Sequence, residues 1–133
     1  MLKRVATMVW LLGLPGAVSA SAGAWQASGS GPAISYRGVS ASSASLSPSQ
    51  TVSGQITDVF WRYRLTGPTP AGLQVKLCSG TRCVTIEGAS GATRGLADAD
   101  ASGNVHFVFY IEGAGRLFPV FRVLSQQVMV NYQ

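Results

Sequence analysis

Past residue 22, apolar and polar positions alternate with period two, and no stretch carries the spacing of an amphipathic helix. The clearest case is 105–112, where Val105, Phe107, Phe109 and Ile111 fall on one face. Residues 127–132 repeat it with Val128, Val130 and Tyr132. Shorter strands are predicted over 34–39, 73–78 and 83–87. A long one is predicted over 52–65, bent or bulged, with Ile56, Phe60 and Trp61 as its large apolar residues. Residues 116–124 form another strand, and Pro119 confines it to an edge or a bulge because proline donates no ladder hydrogen bond. Loops are predicted over 40–50, which is rich in Ser and Ala, over Gly67-Pro68-Thr69-Pro70-Ala71-Gly72, and over the Gly-rich stretch 88–103. Short strands at this spacing predict an all-β chain, a small single-domain antiparallel β-sandwich.

Register follows from the two cysteines. If Cys78 faces Cys83, then Leu77 faces Val84, Lys76 faces Thr85, Val75 faces Ile86 and Gln74 faces Glu87. The apolar pairs then share one face, and the cysteines share the other with the polar pairs. Opposed residues of an antiparallel ladder are close enough for a disulfide. The sequence therefore predicts a hairpin clipped at its tip by a Cys78–Cys83 bridge on the polar face. Zinc needs four ligands, and the chain adds one histidine to these two thiols, so no metal is expected.

The first 22 residues differ in kind. Lys3 and Arg4 precede an apolar run over 5–18, and small residues Ser19-Ala20-Ser21-Ala22 follow. This is the layout of a secretory signal peptide, with cleavage predicted after Ala20 or Ala22. The run is shorter than the ~20 residues of a membrane span, so the mature chain, 23–133, is expected to carry none. Such a chain works in an oxidising compartment, as the disulfide also requires.

Charge narrows the function classes. Only 11% of residues are charged, under half the usual ~25%. The mature cations are Lys76 and the scattered arginines 37, 62, 64, 82, 94, 116 and 122. No dense basic stripe exists, so nucleic acid is not an expected partner. Catalysis finds little footing. His106 is the lone histidine, and Gly88-Ala89-Ser90-Gly91-Ala92 lacks the last glycine of a nucleophile elbow. Asp98 and Asp100 share a loop without the glycine and closing glutamate of a calcium site. No enzyme activity and no cofactor are expected. In Phe60-Trp61-Arg62-Tyr63-Arg64, aromatic and cationic residues alternate, and the face that carries Arg62 and Arg64 also carries Phe60. Trp, Tyr and Arg are the residues of binding hot spots.

Several stretches in order resemble the FlhE family of bacterial flagellar proteins: Gly23-Ala24-Trp25-Gln26, Tyr36-Arg37-Gly38-Val39-Ser40-Ala41-Ser42-Ser43, Trp61-Arg62-Tyr63, Gly67-Pro68-Thr69-Pro70-Ala71-Gly72-Leu73, Leu77-Cys78 with Arg82-Cys83-Val84, Gly115-Arg116-Leu117, and Gln127-Val128-Met129-Val130-Asn131-Tyr132. Gln126 stands where the family pattern places Asn. The resemblance implies a non-enzymatic periplasmic accessory of the flagellum. It implies a link to the type III export apparatus, as a limit on proton leak or a chaperone-like factor, and to swarming motility. The implied partners are export-gate or rod and basal-body proteins. Arg37, Trp61, Arg62, Arg64 and Arg116 are the candidate contact residues, with edge-strand pairing as a mode of contact. A periplasmic small-ligand or glycan-binding module is the alternative, and it would need an open cleft beside Trp61 or Tyr110.

Overall fold

The computed structural model describes residues 22–133, so the predicted signal peptide, apart from Ala22, lies outside the described residues. Among the described residues, nine strands follow one another: β1 Gly23–Gly29, β2 Ala33–Tyr36, β3 Ser40–Ser42, β4 Ile56–Leu65, β5 Leu73–Ser79, β6 Arg82–Ile86, β7 Ser90–Thr93, β8 Val105–Ile111 and β9 Arg116–Tyr132. They form two antiparallel sheets. One has the order β1-β9-β4-β7, with β2 also on β9, and the other has the order β3-β8-β5-β6. The expected all-β sandwich is what the chain forms.

The alternating residues meet between the layers. Val105, Phe107, Phe109 and Ile111 of β8 are fully buried. Tyr63 of β4 sets its ring edge-on to Phe107 and Phe109, at centroid distances of 6.4 and 5.4 Å, and Phe121 of β9 tilts against Phe109 at 5.9 Å. Such edge-on pairs add about 0.5–1.5 kcal/mol each beyond the area they bury.

The hairpin register is as predicted. Val75, Lys76, Leu77 and Cys78 face Ile86, Thr85, Val84 and Cys83, and the pairing continues to Ser79↔Arg82. On the other flank it stops at Val75↔Ile86, one pair short of Gln74 and Glu87.

Three expectations are corrected. Residues 116–124 and 127–132 are one strand of 17 residues. Ser125 and Gln126 pair with Arg64 and Tyr63, and the irregularity is a bulge at Leu124, where the β4–β9 register shifts between Arg64 and Leu65. The long loop 88–103 contains β7, which pairs Val59–Arg62 with Thr93–Ser90. Its remainder is tied to the start of β4 by Ile56 N–H to Ala99 C=O and Asp98 N–H to Ile56 C=O bonds. The Ser-rich loop 40–50 likewise contains β3 on the edge of β8. Ser and Gly have weak strand propensity, and pairing with an existing edge overrides it. The region 52–65 becomes strand only from Ile56, and it is bulged as expected.

Candidate functional site

The disulfide joins Cys78 and Cys83 with their Cα atoms 4.0 Å apart. It lies on the outer face of its sheet, as the alternation requires. That face is not uniformly solvated, because Cys78 is fully buried between Cys83 on β6 and His106 on β8.

The five candidate contact residues separate into three places. Trp61 turns inward; it is 7% exposed and its indole N–H donates to the Gly88 carbonyl at 3.2 Å. A bare Gly91 opposite makes room for it, since a Cβ there would meet the indole ring at 2.7 Å. Arg62 and Arg64 stand on the outer face of β4, with Phe60 (42% exposed) beside them. A depression of about 550 Å³ borders this face. Trp61 shows no open ring to it on which a sugar would stack.

Arg37 and Arg116 come together. The Arg37 Nη1 donates to the carbonyls of Ala71 (2.8 Å) and Glu112 (3.2 Å). Its backbone N–H donates to Gly115 C=O. Arg116, opposite Tyr36 in register, places its guanidinium carbon 5.2 Å from the Tyr36 ring and 5.6 Å from the Phe118 ring. Both arginines border a groove of about 440 Å³ between the 65–70 connection and β9 residues 116–122. Its lining includes Arg122 and no carboxylate. Phe118 is 83% exposed on its rim.

A bulge in β9 builds this rim: residues 117–120 stand opposite the single Ser35, between the pairs Ile34↔Phe121 and Tyr36↔Arg116. Along the first half of β9, Leu117, Phe121 and Val123 point into the core, which leaves Arg116, Phe118, Val120, Arg122 and Leu124 outward. Phe118, Val120 and Arg122 are the groove residues that sequence reasoning missed. Their signal is the run Leu117-Phe118-Pro119-Val120-Phe121, which is apolar on both faces and so reads as a strand covered on both faces. The structure leaves one face bare.

Two groups titrate away from their usual range. Burial, and then the Glu87 carboxylate, raise the Tyr63 phenol above 10.0. The Ser102 hydroxyl, and then its backbone N–H, lower Asp100 below 3.8. These bonds (2.7 and 2.9 Å) fold the Asp100–Ser102 turn on itself. Among the described residues, no three His, Cys, Asp or Glu side chains cluster as metal ligands. No helix among them is long and apolar enough to cross a membrane.

Comparison with known proteins agrees with this geometry. A family model described as "Flagellar protein FlhE" matches residues 31–133. The flagellar protein FlhE of Salmonella typhimurium is 55% identical over 115 residues, covering 86% of this chain and 88% of the relative. That of Escherichia coli K12 is 47% identical over the same length. That of Yersinia enterocolitica is 37% identical over 134 residues, covering 98% of this chain and 96% of its own. A solved structure titled "Crystal Structure of FLHE" superposes with a TM-score of 0.84 at 55% identity, covering 86% of this chain and 99% of that one. On sequence and on fold, the chain belongs to the FlhE family of flagellar proteins.

Proposed function

We propose that this chain is a periplasmic accessory of the flagellum that acts by binding protein and not by turning over a substrate. The flagellar family membership and the disulfide support this reading. The observation that carries it is Phe118, a large aromatic left 83% exposed and braced by Arg116 at a groove rim. Burying such a side chain against a partner is worth about 1.5–3 kcal/mol. Aromatic and arginine side chains side by side are what hot spots use. The signal peptide over 1–22, cleaved after Ala20 or Ala22, delivers the chain to the periplasm. There it engages the export gate or the rod and basal body, limiting proton leak through the gate or acting as a chaperone for emerging subunits. Swarming depends on it through that contact.

Capture from periplasm of strains with and without a flagellar basal body tests the reading. The expected result is a partner recovered only when the basal body is present; equal recovery from both overturns it. Cytoplasmic pH in a deletion strain then separates the two modes. Acidification that disappears when the gate is also removed places the contact at the gate. Unchanged pH in both favours a rod chaperone or a ligand-binding module over a gate partner.

A further inference from the structure

Among the described residues, the groove is lined by Arg37, Arg116 and Arg122 and by no carboxylate. Arg37 spends Nη1 on the carbonyls of Ala71 and Glu112, and Arg116 donates to the Tyr36 hydroxyl at 3.4 Å. Neutral acceptors of this kind leave the positive charge uncompensated. The carboxylate of Glu112 accepts instead from the Gln74 amide at 3.4 Å. The groove is therefore a positive site without its anion.

Its apolar groups lie on the same side as its charge. The bulge opposite Ser35 leaves Phe118, Pro119 and Val120 exposed one after another. Pro68 and Pro70 line the facing wall. A guest must then present its anion and its apolar group on one side of itself, which an extended strand running through does not do. The two walls are also joined at both ends. Thr66 N–H donates to Arg122 C=O at one end, and Arg37 bridges Ala71 and Glu112 at the other. A continuous segment lying along the groove would have to climb over both ties, whereas a chain end enters from above.

We propose that this groove takes the free C-terminus of a partner protein whose last residue is apolar. The inference deepens the binding reading above and rests on it for the source of the chain end. The last residue of a chain carries its carboxylate and its side chain on one carbon, so both reach one face together. The carboxylate goes to the end held by Arg37 and Arg116, since a guanidinium fork matches a carboxylate with paired N–H···O bonds. Phe118 packs against Arg116, and so the apolar side chain falls beside it. The groove volume of about 440 Å³ is that of a site enclosing a small molecule. It suits a chain end better than a helix, which is about 10 Å across.

The probe is an N-acetylated Gly-Ser-Gly-Ser-Leu peptide with a free C-terminus, titrated into the folded, oxidised chain and followed by amide shifts. Saturable binding is expected, with shifts concentrated on 37, 66–70 and 116–122 and with weakening by salt. The same peptide with a C-terminal amide binds at least about tenfold more weakly, a difference of 1.4 kcal/mol. Exchange of the last Leu for Ser also weakens binding. Arg116→Gln, shown to be folded by its melt, removes most of the preference for acid over amide. Phe118→Ser keeps that preference and removes the one for Leu over Ser. Equal binding of acid and amide overturns the proposal, and so does an acid preference unchanged in Arg116→Gln. Octanoate carries the same two groups without a chain; if it binds more tightly than the peptide, a small molecule is the guest and the proposal falls. Shifts on 116–122 that follow the chain's own concentration make a second copy the guest and overturn it too. Failure of the parent reading looks different: peptide binding persists, but no basal-body partner is captured. Capture that survives Arg116→Gln with Phe118→Ser keeps the flagellar reading and overturns this one.

Discussion

Arg116 lies over the ring of Tyr36, its register partner across β2 and β9, with 5.2 Å from guanidinium carbon to ring centroid. The contact holds an otherwise mobile side chain at the groove rim, where Phe118 packs against the same guanidinium. At an exposed site such a contact contributes about 0.5–1 kcal/mol.

Phe118→Ser therefore separates binding from stability. The side chain is nearly all solvent-exposed, so unfolding free energy is expected to stay within about 0.5 kcal/mol of the parent. Partner capture is expected to be lost. Denaturant melts of parent and variant, run beside the capture experiment, check both halves.

Replacing both Cys78 and Cys83 by Ser removes a clip with a sequence separation of 5. The chain-entropy estimate for so short a loop is about 2 kcal/mol. Because Cys78 is fully buried, its replacement also buries a hydroxyl that must find a partner there, and adds to the loss if it does not. The melting temperature is expected to fall by roughly 8–12 °C. An unchanged melt would mean that the bridge contributes nothing.

Trp25 ties β1 to the far loop through a buried bond from its indole N–H to the Ala101 carbonyl at 2.9 Å. Trp25→Phe keeps the packing but leaves that carbonyl, on a fully buried residue, without its donor. A loss of about 1–3 kcal/mol is expected. Hydrogen exchange should show faster opening of residues 98–103 than in the parent.

Gly31→Ala probes the crossing of the β1–β2 arm over the β9 bulge. A Cβ at this position would run into the Val123 side chain and reach 2.5 Å from the Gln126 Oε1. Both neighbours are buried, so neither yields easily. Overpacking of this kind costs about 1–3 kcal/mol, and a denaturant midpoint shifted down without a change in slope is the expected record.

Stability toward alkali should depend on Tyr63. Its phenol is raised in the fold by burial and then by Glu87, so the native state holds its proton where the unfolded chain has begun to release it. The contribution is fully present below pH 10.0 and is lost as pH rises through the folded value. Tyr63→Phe should flatten the alkaline fall in unfolding free energy. Asp100 has the opposite sign: its pKa is lowered by Ser102, so its contribution holds above 3.8 and fades as pH falls through the folded value. Ser102→Ala should return its titration, followed by carboxyl NMR, toward 3.8.

Alternation and the two cysteines were enough to read the sandwich and the β5–β6 register, because strand period and disulfide reach are local constraints. That Phe60, Arg62 and Arg64 share a face followed from the same alternation, although Trp61 was grouped with them as a contact residue and turns inward instead. The resemblance to the flagellar family was also legible in residues alone. Local propensity did not reveal β3 and β7, which are strands because edges of β8 and β4 lie beside them. Nor did it reveal that 116–132 is one strand, since the bulge at Leu124 has meaning only against β4. Arg37 and Arg116 lie far apart in sequence, and the chain alone could not say that they share a groove while Arg62, Arg64 and Trp61 lie elsewhere. The bulge of β9 at the groove rim was decided by where β4 stops pairing it and by how β2 spans it from Phe121 to Arg116. Both are long-range pairings, and such pairings are set by the packing of whole sheets and not by any one segment.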